Sequence, residues 1–142
     1  MDSQTSFCTF KVGPMTLGVE VLRVQEVIRE QIITPVPRSS NAVSGLMNLR
    51  GQIVTALDLR QCLDLPMGNS EPKMNVVIQT ADDTISLLVN EIGDVLVVDA
   101  DQFEPPPQTL QGAARTLIRG VYKLETGLLM ALDTDAVLSA AA

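Results

Sequence analysis

The sequence contains no histidine and no tryptophan. Without an imidazole, the side chain that most often moves protons near neutral pH is missing. A zinc site would also lack ligands, because the only two cysteines, Cys8 and Cys62, have no CxxC spacing. They read as two small buried hydrophobes, and little points to an oxidising compartment. Aromatic residues make up 3% of the chain, one Tyr and three Phe, too few for a base-stacking platform. Positive charge is scarce too. Ten basic residues face 17 acidic ones, for a net charge of −7, which disfavours binding to a phosphate backbone. No apolar run approaches the roughly 18 residues that a membrane span needs. The start, Met1-Asp2-Ser3-Gln4, is polar and acidic, unlike a signal peptide. Together these absences predict a cytosolic protein that neither binds nucleic acid nor inserts into a membrane.

Catalytic motifs are missing as well. Ser39 and Ser40 have no recognisable base or oxyanion motif, and there is no GxGxxG or Walker loop. Asp82-Asp83 reads as a turn. Asp99, Asp101 and Glu104 do not follow EF-hand spacing and run straight into Pro105-Pro106-Pro107, so they read as a solvated acidic loop. No catalytic residue, cofactor or metal is assigned, and the chain is expected not to be an enzyme.

What is present is apolar. Hydrophobic residues reach 46% of the 142, while charged residues are only 19%. Exposed partner patches would explain this, and so would a β-rich core built on Val and Leu. The length suits one domain, or two small subdomains sharing a core. Phe7–Val12 and Met15–Val19 alternate around Gly13-Pro14 and predict a hairpin. Val21, Val24, Val27 and Ile28 are spaced for a short helix. Ser39-Ser40-Asn41 could cap a further turn. Residues 66–72 are the best linker, and strands are predicted at 75–80, 85–89, 95–98, 120–124 and 128–132. Residues 91–94 are polar with a glycine, 108–118 read as irregular, and Asp133 or Thr134 reads as the cap of a C-terminal helix.

Val43–Arg60, VSGLMNLRGQIVTALDLR, is the most informative stretch. Gly45 and Gly51 bracket a turn-like segment. Ile53, Thr55 and Leu57 then alternate with Val54 and Ala56, a strand covered on both faces, and Asp58 stands where a helix cap belongs. Arg50, between Leu49 and Gly51, either pairs with Asp58 or Glu26, is simply exposed, or lies on a partner-binding face.

This stretch resembles the CheW family, the adaptors that couple bacterial chemoreceptors to their histidine kinase. NLRG followed by an apolar strand and DLR carries the likeness. LGVEVLRVQEVI at Leu17–Ile28 and GVYKLETGLLMALDTDAVL at Gly120–Leu138 extend it over nearly the whole chain. The resemblance implies a mainly β fold: two small SH3-like five-stranded barrels packed together, with short helices including one at the C-terminus. The expected division is a first barrel at about 7–65, a linker at about 66–72, a second barrel at about 73–132 and a helix at about 133–142. The family's pattern also implies receptor contacts at Val24, Glu26, Gly45 and Arg50. The implied partners are the regulatory domain of a CheA-type histidine kinase, at residues not located, and the cytoplasmic tip of a chemoreceptor. The protein would then reach the membrane only through receptor arrays. Thr55-Ala56, Ser86 and Asn90 depart from the family's usual residues, with Asn90 standing where aspartate is common. A CheW-like scaffold in another chemosensory pathway, such as pilus motility, and an RNA- or ribosome-binding SH3-like barrel are the alternatives.

Overall fold

Turn chemistry and the short apolar runs between turns explain most of the elements. The computed structural model describes residues 4–37, 42–65, 72–80 and 83–141. Strands β1 (Gln4–Val12) and β2 (Met15–Glu20) form the predicted hairpin, with Gly13 at φ +56° in its turn. A 3-10 turn at Val21–Arg23 leads into β3 (Val24–Arg29). Strands β4 (Val43–Leu49) and β5 (Gln52–Asp58) form a second hairpin. Helix α1 (Leu59–Cys62) follows, and the Asp58 carboxylate accepts the Arg60 N–H at 3.0 Å, the expected cap. Next come β6 (Met74–Gln79), β7 (Thr84–Val89) and β8 (Glu91–Asp99). After a capped 3-10 turn at Ala100–Gln102 come β9 (Phe103–Glu104), α2 (Gly112–Leu117), β10 (Ile118–Leu124) and β11 (Gly127–Leu132). Helix α3 (Thr134–Ala141) closes the chain, with the Asp133 carboxylate accepting the Ala136 N–H at 3.0 Å.

Several local expectations are corrected. The helix expected from Val21 to Ile28 is mostly strand. A register shift between Val24 and Glu26 places Val24 opposite Ile78 and Val27 opposite Val76. The bulge thus puts residues three apart on one face, which imitates helical spacing. Leu46–Leu49, read as a loop, lies in β4, where Gly45, Met47 and Leu49 are buried in alternation. On β5 the second covered face holds only at Leu57, because Ile53 is exposed. Gln4–Ser6 extend β1 ahead of its expected start at Phe7, residues 91–94 lengthen the strand expected at 95–98 into β8, and 112–117 of the segment read as irregular are helical. The expected cap at Ser39-Ser40-Asn41, residues 66–71 of the expected linker and Asp82 of the expected turn lie outside the described residues.

The described strands form two sheets. One has the order β8-β1-β2-β11-β10-β9, the other β3-β6-β7-β5-β4. These are the two small SH3-like barrels, the first gaining a sixth strand of only two residues. Their division differs from the expected one at about 66–72. The five-stranded barrel is built from 24–89. The other joins the first hairpin to 91–132, through antiparallel β1–β8 and parallel β2–β11 pairing. The chain therefore crosses between barrels twice, at Val21–Arg23 and at Asn90. Periodicity within a strand carries no information about so distant a partner.

Each barrel has its own interior. Met47, Leu49, Val54, Ala56, Val77 and Leu88 fill the five-stranded one. Phe7, Val98, Tyr122, Leu129 and Ala131 fill the other, with Phe7 and Phe103 rings 5.3 and 5.2 Å from Tyr122. The third and largest cluster lies between the sheets. Phe10, Leu17 and Val19 of one meet Val76, Ile78 and Leu87 of the other, with Leu117 and Val137 from the helices. Strands β6 and β7 are consequently buried on both faces. This accounts for much of the apolar excess. Ser86 is tolerated there because its hydroxyl donates to Asn75 Oδ1 at 2.8 Å. Cys8 and Cys62 are free and buried, and burial together with the Asp58 charge pushes the Cys62 thiol up to about 11.

Because the barrels interleave, a fragment of residues 1–70 lacks partners for β1, β2, β3 and β5. It should give a collapsed, unfolded NMR amide spectrum. A dispersed spectrum would contradict this topology.

Candidate functional site

The site starts from a two-residue turn. Leu49 pairs with Gln52, which leaves Arg50-Gly51 as the loop. Both have positive φ, +53° and +88°. That is the pattern of a type I′ turn, whose twist suits a hairpin. Gly51 adopts it freely. Arg50 adopts a left-handed conformation that non-glycine residues usually avoid. The Asn48 side-chain oxygen accepts the Gly51 N–H at 2.8 Å and fixes the turn.

The turn aims the Arg50 guanidinium at β3. Its two terminal nitrogens donate to the two Glu26 carboxylate oxygens at 2.5 and 2.9 Å. This two-pronged contact fixes the arginine plane as well as its distance. Glu26 lies opposite Val77, a residue of the barrel interior. Strands β3 and β4 are the two edges of this sheet. The ion pair therefore bridges its edges at the end of the barrel where Leu49 sits. The Arg50 side chain is 71% exposed and that of Glu26 19%. Hydrogen bonding from Arg50 holds the Glu26 carboxyl below the usual range against an opposing effect of partial burial. The same contact pushes the Arg50 guanidinium up. The result is an oriented cation facing solvent, able to donate to a planar acceptor on a partner.

The four residues implied by the resemblance do not all meet. Glu26 and Arg50 are in contact. Val24 is next but one to Glu26, yet the bulge turns it toward Ile78 and the core between the barrels. Gly45 lies five residues from Arg50 along the chain, about 16 Å for an extended strand. It is buried, not a turn glycine. Its φ is +151°, and an added Cβ would stand 2.2 Å from the Thr34 carbonyl oxygen. It lets Thr34 pair with Leu46 through backbone hydrogen bonds of 2.8 and 2.9 Å.

Asn48 and Thr34 also shape the site, and neither stands out from the sequence by residue type. The Asn-x-x-Gly spacing at 48–51 was the available signal for the first. Large apolar side chains are also exposed, among them Leu22 at 96% and Val95 and Val97 at 59% each. Val97 and Val95 lie opposite Ser6 and Cys8 on β1, whose Phe7 lies opposite Glu20 on the other side. Leu22 itself lies in the crossover that leads to Val24. An open depression of about 700 Å³, lined by Ile33, Ser44, Asp58, Met74 and Leu88 among others, includes neither Glu26 nor Arg50. A protein-binding face needs no such cavity, so the ion pair carries the site.

A model of the CheW-like domain family matches residues 6–142. The chain is 26% identical to the chemotaxis protein CheW of Treponema pallidum, across 97% of this chain and 84% of that one. It is 29% identical to chemotaxis protein CheW of Bacillus subtilis, across 91% and 83%. Protein FrzA of Myxococcus xanthus is also 29% identical, across 81% and 72%. The crystal structure of the scaffolding protein TtCheW from Thermoanaerobacter tengcongensis superposes with a TM-score of 0.83 at 20% identity, covering 91% of this chain and 88% of that one.

Two measurements check the site. Gly45→Ala should destabilise by about 1–3 kcal/mol or more, since the clash is with backbone. Gly51→Ala has open space and meets only the dihedral strain, about 1 kcal/mol. Thermal melts of both should keep that order. The second concerns pH. A carboxyl depressed in the folded state stabilises above its ordinary pKa and loses that contribution as pH falls through the depressed value. The melting difference between the protein and Glu26→Gln should hold constant from about pH 8 to pH 5 and shrink in more acid solution. A difference that persisted unchanged in strong acid would show that the carboxylate charge is not its source.

Proposed function

The chain belongs to the family of CheW-like domains, and from that premise we propose that it is a non-enzymatic adaptor coupling methyl-accepting chemoreceptors to a CheA-type histidine kinase in bacterial chemotaxis. The observation that carries the receptor face is the exposed Arg50 fork, held by Glu26 at the tip of a strained turn. Stability alone is a poor reason for such a device, because exposed ion pairs contribute little. A partner that needs an oriented guanidinium is a better one. In this reading Glu26 and Arg50 contact the cytoplasmic tip of the receptor, and half-buried Val24 joins them only through the part that the core between the barrels leaves exposed. Gly45 shapes the face from beneath by seating Thr34. The kinase's regulatory domain takes a separate surface. No helix among the described residues is long and apolar enough to cross a membrane, and the adaptor would reach the membrane through the receptors it binds.

The likeness to FrzA favours a second reading, the same adaptor role in a different chemosensory pathway, for example pilus motility.

Kinase autophosphorylation with cognate receptor and kinase, with and without the protein, tests the coupling role. Strong dependence on the protein is expected. Arg50→Glu should then weaken receptor binding by at least about tenfold, the scale of an interface arginine. Kinase binding and the melting temperature should change little, because the lost ion pair is mostly in water and contributes little to stability. A large fall in melting temperature would make Arg50 structural. No dependence, with folded protein and the right partners, would favour the second pathway.

A further inference from the structure

Asn90 occupies the second crossover, between β7 of one barrel and β8 of the other. Its side-chain oxygen accepts the Gly13 N–H at 2.9 Å, in the β1–β2 turn of the six-stranded barrel. The same oxygen accepts from an Arg60 terminal nitrogen at 3.1 Å, on α1 at the end of β5. The Asn90 N–H donates to the Lys11 carbonyl at 2.9 Å. Arg60 is a charged side chain only 5% exposed, and its bond to Asn90 is part-buried, while the Gly13 bond faces solvent. One side chain thus ties a turn of one barrel to a helix of the other at the point where the chain passes between them.

The apolar core between the sheets has no such directionality. Burial is roughly proportional to area and holds two faces together without selecting one rotation. Hydrogen bonds weaken steeply when distance or angle departs from the optimum. We propose that Asn90 is a positioning residue that fixes the angle of one barrel against the other, and with it the shape of the surface where they meet. This inference does not depend on the receptor reading.

Pulsed electron-electron distance measurements test it in the full chain. Spin labels go on cysteines introduced at Gln52 and Thr126, exposed positions in different barrels. A second pair, Gln52 and Gln79, lies within one barrel and serves as the control. Cys8 and Cys62 are each 7% exposed and stay unlabelled. Asn90→Ala should widen the Gln52–Thr126 distribution by about twofold, the sign of a loosened interface, and leave Gln52–Gln79 unchanged. Asn90→Asp, which keeps an acceptor beside Arg60 and Gly13, should restore the narrow distribution. If the alanine variant does not fold, Asn90→Gln displaces the acceptor by one methylene and is read in the same way. An unchanged Gln52–Thr126 width, or equal widening of both pairs, would overturn the proposal.

Discussion

Burial of the same strands on both faces is the constraint from which the rest of this structure follows. A small barrel ordinarily hides one face of each strand and wets the other. Here the outer faces of the two sheets cover each other, so β6 and β7 have almost no solvent side. Their sequences, Val76-Val77-Ile78 and Ile85-Ser86-Leu87-Leu88-Val89, are accordingly near-continuous apolar runs. The low charged fraction is in large part a consequence of this geometry. It leaves only particular residues, such as Leu22, Val95 and Val97, as apolar surface in excess of what the cores use.

Two apolar sheets pressed together still need to be registered. The covalent topology does part of this, because the chain passes from one barrel to the other and back. The rest falls to the few polar groups placed inside or beside the cores. Ser86 and Asn75 satisfy each other within one barrel, and Asn75 also donates to the Arg29 carbonyl at 3.1 Å, tying β6 to the end of β3. Arg60 and Asn90 do the comparable work between barrels. Each of these groups would be costly to bury unpaired, and each is satisfied at a place where two elements must keep a fixed relation.

Most elements were legible in the sequence, because their causes are local. The Gly13-Pro14 turn, the Asp58 and Asp133 caps and the short apolar runs of β6, β7 and β11 between turn residues all act within a few residues. What was not legible depended on partners elsewhere. The bulge in β3 imitates a helix until Ile78 and Val76 are seen to be its neighbours. The assignment of β1 and β2 to the barrel completed by β8–β11 follows from pairings between residues as far apart as Gln4 and Asp99. The candidate site divides in the same way. Arg50 and Glu26 were both named, and their contact was one of several options that the residues left open. Gly45 was read as a turn glycine, because the carbonyl that excludes a side chain there belongs to Thr34, outside the motif.

The Arg50 turn also shows why a residue that breaks a local rule is informative. A glycine or asparagine at this position would remove the strain without changing the hairpin. The arginine's ion pair returns little stability, since its side chain is mostly in water. What the strained backbone does achieve is direction. From a left-handed residue at the tip of the hairpin, the guanidinium reaches the opposite edge of the sheet, where Glu26 holds it flat. A flexible arginine on a regular strand would have to lose side-chain freedom at the moment of binding, whereas this one has already lost it on folding. On the receptor face proposed above, preorganisation of that kind lowers the entropy lost when a partner takes up the guanidinium.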